Sequence, residues 1–296
     1  MQMHWLKRAL VTACLGLSTA CSSDPTSSGG TGTETFTTWG EDYIETGIPA
    51  DPDGQVGFVD GWTLHYDKFL VNFHEITVAD ADGHVAGKPE SSYFVDNTKV
   101  GRKELVTYAD LDAKAYEKVS YQIKPAVADA TVVSGDDADL TMMVDEGYSI
   151  YVQGSAHKDD VTKTFHWGFT TATQYEDCHH EEDGKDTLGV VVTNGSTDTS
   201  ELTTHGDHFY YDRLQASPDP EIKTSLRFDE KAAADDAPNG NADGEITLTE
   251  LSKLPIDVTR YDPSGLRAPT VGAFVTSLAR TIGHFRGEGE CTISEL

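Results

Sequence analysis

Oxygen-bearing side chains recur at every second position in Asn239-Gly240-Asn241-Ala242-Asp243-Gly244-Glu245-Ile246-Thr247-Leu248-Thr249-Glu250. Alternate residues of a tightly curled loop point to one side, so such a run can surround a hard divalent cation that takes roughly 6–8 oxygens. A second chemistry rests on imidazole, the favoured donor to zinc and copper. Histidines cluster in Cys178-His179-His180-Glu181-Glu182-Asp183 and in His205-Gly206-Asp207-His208. His205 and His208 have the i, i+3 spacing of neighbours on one helix face. The plainer alternatives are a solvated Asn/Asp/Gly loop and surface histidines bonded to nearby carboxylates.

The loop resembles the twelve-residue EF-hand calcium loop. That resemblance implies side-chain ligands at Asn239, Asn241 and Asp243, a sharp turn at Gly244, and a backbone carbonyl from Glu245. Thr247 would bind directly or through water, and Glu250 would close the site with both oxygens. Ile246 would pair with a neighbouring loop, and the entering helix would lie near Ser225–Ala234. Asn239 stands where the family prefers Asp, which implies the weak affinity of extracellular calcium modules, on the order of 10⁻⁴–10⁻³ M.

Near the N-terminus, Lys7 and Arg8 precede an apolar run from Ala9 to Leu17 and then Ser18-Thr19-Ala20-Cys21. A positive segment, a short apolar segment and small residues make an export signal, too short to span a bilayer. Leu17-Ser18-Thr19-Ala20-Cys21 resembles a bacterial lipobox, which implies lipidation of Cys21 and an anchor in the cell envelope, at the outer membrane or cell surface. The alternative is an ordinary signal peptide cleaved nearby. Ser22–Thr38 is almost entirely Ser, Thr, Gly, Pro, Asp and Glu, which predicts a flexible tether reaching to about residue 42.

Export leaves Cys178 and Cys291 as the cysteines of the folded part. In an oxidising compartment they are expected to pair, closing a loop of about 110 residues; two free thiols are the alternative. The bridge would carry the C-terminal end, with His284, toward the first histidine cluster. His180, His205, His208 and His284 are therefore the candidate set for a Zn2+ or Cu2+ site. His65, His74 and His166 lie within strand patterns and are expected at core or edge positions.

The formal charge of −28 argues against a nucleic-acid partner, because phosphate binding needs a basic face. It suits bound divalent cations that screen self-repulsion. No Gly-x-Ser-x-Gly, His-Glu-x-x-His or Walker loop occurs. The expectation is a protein without catalysis, with a hydrolase of unrecognised site as an alternative; a protein or glycan partner is not specified by the sequence.

These groups must be positioned by a mainly β chain. Trp62–Val78 alternates apolar and polar residues, and its phase switches near Lys68, which predicts a bulge. Asp80-Ala81-Asp82-Gly83 then reads as a hairpin turn. Short strand patterns follow to Thr171, including Leu140–Val144, with a helical turn at Asp110–Tyr116. Helical spacing marks His208–Leu214, Glu221–Asp235, Thr247–Leu254 and Pro269–Phe285, where Val271, Phe274, Val275, Leu278 and Ile282 share a face. The expected architecture is an antiparallel β-sandwich, Ig-like in a loose sense, over residues 43–198, followed by a small α-rich region with the EF-hand-like loop over 199–296.

Overall fold

The computed structural model describes residues 29–54, 56–182, 184–214, 224–263 and 268–296. The export segment and Cys21 lie outside them. The chain is mainly β, with 46% strand against 16% helix, and the C-terminal helical region is small. Its strands Glu245–Thr247, Gly283–Phe285 and Glu290–Glu295 complete sheets begun earlier in the chain.

One four-stranded sheet runs in the order Gly283–Phe285, Thr197–Thr204, Thr31–Trp39, Lys103–Asp112. The expected tether is therefore corrected: Thr31–Trp39 is an interior strand. Its Ser/Thr/Gly-rich composition conceals a period of two, with Glu34, Phe36 and Thr38 fully buried and the β-branched threonines at 33 and 35 half-buried. It pairs parallel to Thr197–Thr204, so the expectation of purely antiparallel pairing also fails. Two further parallel pairings join Val161–Phe169 to Glu245–Thr247 and Tyr93–Asp96 to Thr131–Val132.

The larger sheet follows the order Lys185–Leu188, Thr173–Glu182, Lys118–Ile123, Thr63–Ala79, Ile150–Lys158, Val161–Phe169, Glu245–Thr247, with Glu290–Glu295 added to Thr173–Glu182. Thr63–Ala79 carries the predicted bulge, a register shift between Tyr66 and Lys68 against its neighbour. It then turns at Asp80–Gly83, where the Gly83 amide donates to the Asp80 carbonyl at 2.8 Å. Two local expectations are overturned. Asp110–Tyr116 belongs to strands Lys103–Asp112 and Ala115–Tyr116. Residues 140–144 lie in the helix Asp137–Glu146, because Asp136 caps its first turn through the Asp139 amide and Gly147 ends it at φ +69°.

One apolar cluster draws on both larger sheets and on the short helix Val271–Leu278, whose Val271, Phe274, Val275 and Leu278 are buried as the spacing predicts. Cys178 and Cys291 are disulfide-bonded across 113 residues. His74 is buried beside Asn72, and burial lowers its imidazole to about 4. His65 and His166 are instead exposed on the sheet face, His166 paired with Glu245.

Glu34 makes the smaller sheet sensitive to pH. Burial pushes its carboxyl up to about 7, with Asp198 adding to the shift and Ser200 and Arg286 opposing it. The folded chain therefore holds a proton that the unfolded chain releases near pH 4.5. The stability that this neutral form supports is complete below that pH and is lost as pH rises through about 7. Between about pH 5 and about pH 8, the wild type is expected to lose on the order of 2–3 kcal/mol more than Glu34→Gln in urea unfolding. Equal losses would show that the carboxyl titrates normally.

Candidate metal centre

The segment His205-Gly206-Asp207-His208 is fixed by what flanks it. Thr197–Thr204 leads into it, pairing antiparallel with Gly283–Phe285 in the register Thr203↔His284 and Thr204↔Gly283. The His205 amide then donates to the Ile282 carbonyl at 2.9 Å. This pairing, rather than the disulfide, brings His284 beside His205. On the other side, the 3-10 turn His208–Tyr210 drives Phe209 and Tyr210 into the core. Phe209 stacks on Phe169 with centroids 5.3 Å apart, and Tyr210 meets Phe58 edge-on at 5.2 Å. Each such side chain contributes roughly 1.5–3 kcal/mol on burial, so the segment is held by much more than its own turn.

Gly206 makes a close approach that other residues could not. Tyr66 Oη donates to its carbonyl at 2.5 Å, and an added Cβ would meet Ile44 Cγ1 at 2.7 Å and Tyr66 Cε2 at 3.0 Å. Both neighbours are buried and cannot retreat. Gly206→Ala is expected to cost about 1–3 kcal/mol in chemical unfolding, through the displacement of His205 and Asp207. A change under about 0.5 kcal/mol would mean that this loop yields easily.

The rings of His205, His208 and His284 lie close together, with centroids at 4.2 Å for His205–His284, 5.1 Å for His208–His284 and 5.2 Å for His205–His208. All three are buried. Their ligand atoms gather in two sets that share His205: one with His284 and Glu288, the other with Asp207 and His208, each within 4.8 Å. Burial keeps His208 and His284 neutral, aided by the proximity of His205. His284 falls to about 4 and His208 well below its ordinary value. Neutral imidazole is the form that binds metal.

The protons are placed by neighbours. Thr281 Oγ1 donates to the Leu278 carbonyl at 2.9 Å, so its contact with His208 Nδ1 at 2.8 Å is an acceptance. That bond fixes the tautomer and leaves His208 Nε2 with a lone pair. His284 Nδ1 is buried with no hydrogen-bond partner, and so is Asp207 Oδ1. Asp207 Oδ2 accepts from Tyr211 Oη at 3.0 Å, and burial raises its carboxyl. Leaving such polar atoms unpaired costs on the order of 1–3 kcal/mol each. The Glu41 carboxylate approaches His205 Nδ1 at 3.5 Å from a residue with left-handed backbone, φ +54°. A cavity of about 650 Å³ opens onto His208, His284 and Glu288.

His180 does not join this set. It sits on strand Thr173–Glu182 with its ring edge-on to Phe285 at 6.0 Å, because strand pairing orients it toward that side chain. Asp207 and Glu288 take the carboxylate places. The sequence signals for them were local: Asp207 lies between the two histidines, and Glu288 follows His284 by four residues.

At the second candidate site, the helix Asp229–Asp236 enters the loop and the short helix Leu248–Leu251 leaves it. Glu250 turns inward. Its Oε2 accepts from the Thr247 amide at 2.9 Å and hydroxyl at 3.0 Å, and Oε1 from the Asn241 amide at 3.3 Å. Asp243 Oδ1 accepts from the Glu245 amide at 2.9 Å. Asp235, offset four residues before Asn239, also enters the loop's bonding. Its carboxylate accepts from the amides of Asp243 and Gly244 at 3.1 and 3.0 Å, and from Lys163 Nζ at 2.6 Å. Among the described residues, Asn239 enters this bonding through its carbonyl, which accepts from Lys253 Nζ at 3.2 Å. Pro238 explains the offset: it forces Ala237 out of the helical region, to ψ 160°, and the following Asn239-Gly240 turn bulges away. Ile246 is buried, and its strand pairs with Val161–Phe169 rather than with a second loop. Among the described residues, three or more His, Cys, Asp or Glu ligand atoms gather in the two sets at His205 and in an exposed one at Asp80, Asp82 and His84.

No family model, curated protein or solved structure matches the chain.

Proposed function

We propose that this chain is an exported, lipid-anchored protein of the bacterial cell envelope that binds one zinc or copper(II) ion through His205, His208 and His284, with the carboxylate of Asp207. The observation that carries the reading is the clustering of three buried histidine rings, His205, His208 and His284, in ligand sets completed by Asp207 and Glu288. Buried polar atoms without partners cost free energy that a bound cation would offset. Imidazole and carboxylate without thiolate suit these two metals better than softer ions. The role is binding rather than catalysis, anchored to a membrane through Cys21 and with no nucleic-acid partner at a charge of −28. We also read the two larger sheets as the faces of a sandwich, on the strength of their shared core and of Tyr108 Oη donating to the Ile76 carbonyl at 2.5 Å.

The test is metal analysis of protein purified without chelator, followed by titration with Zn2+ and Cu2+. Near one ion per chain in the wild type, lost in a variant lacking all three histidines, is the expected result. Equal metal content in the two would sink the reading.

A second reading, calcium at the 239–250 loop, is favoured by the inward turn of Glu250. Lys163 already supplies positive charge to Asp235, which weakens the demand for an ion there. Calorimetry with millimolar Ca2+ decides: heat that disappears in Glu250→Gln supports a calcium site with Asp235, Asn241 and Asp243, and no heat removes it.

A further inference from the structure

Resting on the transition-metal reading, we propose that Glu288 and Glu290 form the loading face of the site, capturing a divalent cation from the cavity and passing it to the buried histidines. The two ligand sets that share His205 differ in depth. In the set with Asp207 and His208 every member is buried, whereas the set with His284 ends in exposed Glu288. Both sets include His205, and we read them as alternative positions for one ion.

The cavity sets their order. His208, His284, Glu288 and Glu290 stand on its wall, while Asp207 faces a different cavity of about 150 Å³ on the far side of Tyr211. The other charged groups on the wall are Arg213, Arg280 and Glu295. Arg280 is tied to Glu295 at 2.7 Å and Arg213 to Asp212 at 3.3 Å, so their charges are matched. What remains is the negative charge of Glu288 and Glu290 at the mouth. Behind it stands His284, more than nine-tenths buried, with a ligand atom in the same set as Glu288. A cation drawn to the mouth meets Glu288 first, then His284 and His205, and settles with His208 and Asp207.

Stopped-flow quenching of tryptophan fluorescence by Cu2+, paired with equilibrium competition against a chelator, tests this order on the whole chain. In Glu288→Gln, and more so with Glu290→Gln added, association and release are expected to slow together, on the order of tenfold at low salt. Affinity stays within about threefold, and the rate difference shrinks near about 0.5 M salt. Asp207→Asn should do the reverse, with association kept and affinity lost. An unchanged association rate in the double variant overturns the proposal, as does a loss of affinity carried by faster release. Wild-type protein that takes up no Cu2+ would end the metal reading itself, a failure distinct from these.

Discussion

Replacing His205 by alanine is expected to lower affinity for Cu2+ or Zn2+ by more than about 100-fold, beyond the roughly 10–100-fold typical of groups that only orient a ligand. His205 is the one side chain common to both ligand sets, so no rearrangement of the remaining groups replaces it. His284→Ala and His208→Ala each leave one set intact and should cost less. His180→Ala is the control, because its ring packs on Phe285 away from the centre. Chelator competition at neutral pH measures all four. If His205→Ala binds within a few-fold of wild type, or if His180→Ala loses as much, the centre has been placed wrongly.

The other large effect concerns the disulfide. Changing both Cys178 and Cys291 to serine is expected to remove about 4–5 kcal/mol of stability, because the bridge closes 113 residues in the unfolded chain. The bond joins strand Thr173–Glu182 to strand Glu290–Glu295, which is last in the chain and holds to the fold mainly through that one neighbour. Urea unfolding of the double variant, compared with the oxidised wild type, reads the difference. A loss below about 1 kcal/mol would mean that the strand pairing alone suffices.

Parts of this architecture were legible because they are written locally. The phase switch near Lys68 marks a register shift that occurs between Tyr66 and Lys68. The spacing of Val271, Phe274, Val275 and Leu278 marks a buried helix face. His205 and His208 are close in sequence and close in space. What escaped reading depends on distant partners. Thr31–Trp39 looks like a linker by composition, and only its neighbours at 103–112 and 197–204 make it a strand. His284 was expected at the centre because of the disulfide, yet it arrives through the pairing of Thr203 with His284, which no local pattern announces. His180 was expected on the same ground and faces elsewhere. Within the calcium-type loop the alternating oxygens run from Asn239 to Glu250. Pro238 ends the preceding helix, and the Asp235 carboxylate on that helix accepts from the Asp243 and Gly244 amides, a contact that side-chain periodicity does not announce.

The placement of Thr31–Trp39 between its two neighbours has a consequence for the order of assembly. Thr38 lies beside Leu202, 164 residues later in the chain, and the next strand outward contains His284. As the polypeptide emerges N-terminus first, Thr31–Trp39 can pair early with Lys103–Asp112 but must wait for Thr197–Thr204 on its other edge. Long-range closure of this kind is slow. An export route that carries the chain across a membrane unfolded would fit this waiting, since the strand with His284 joins the smaller sheet from residues 283–285.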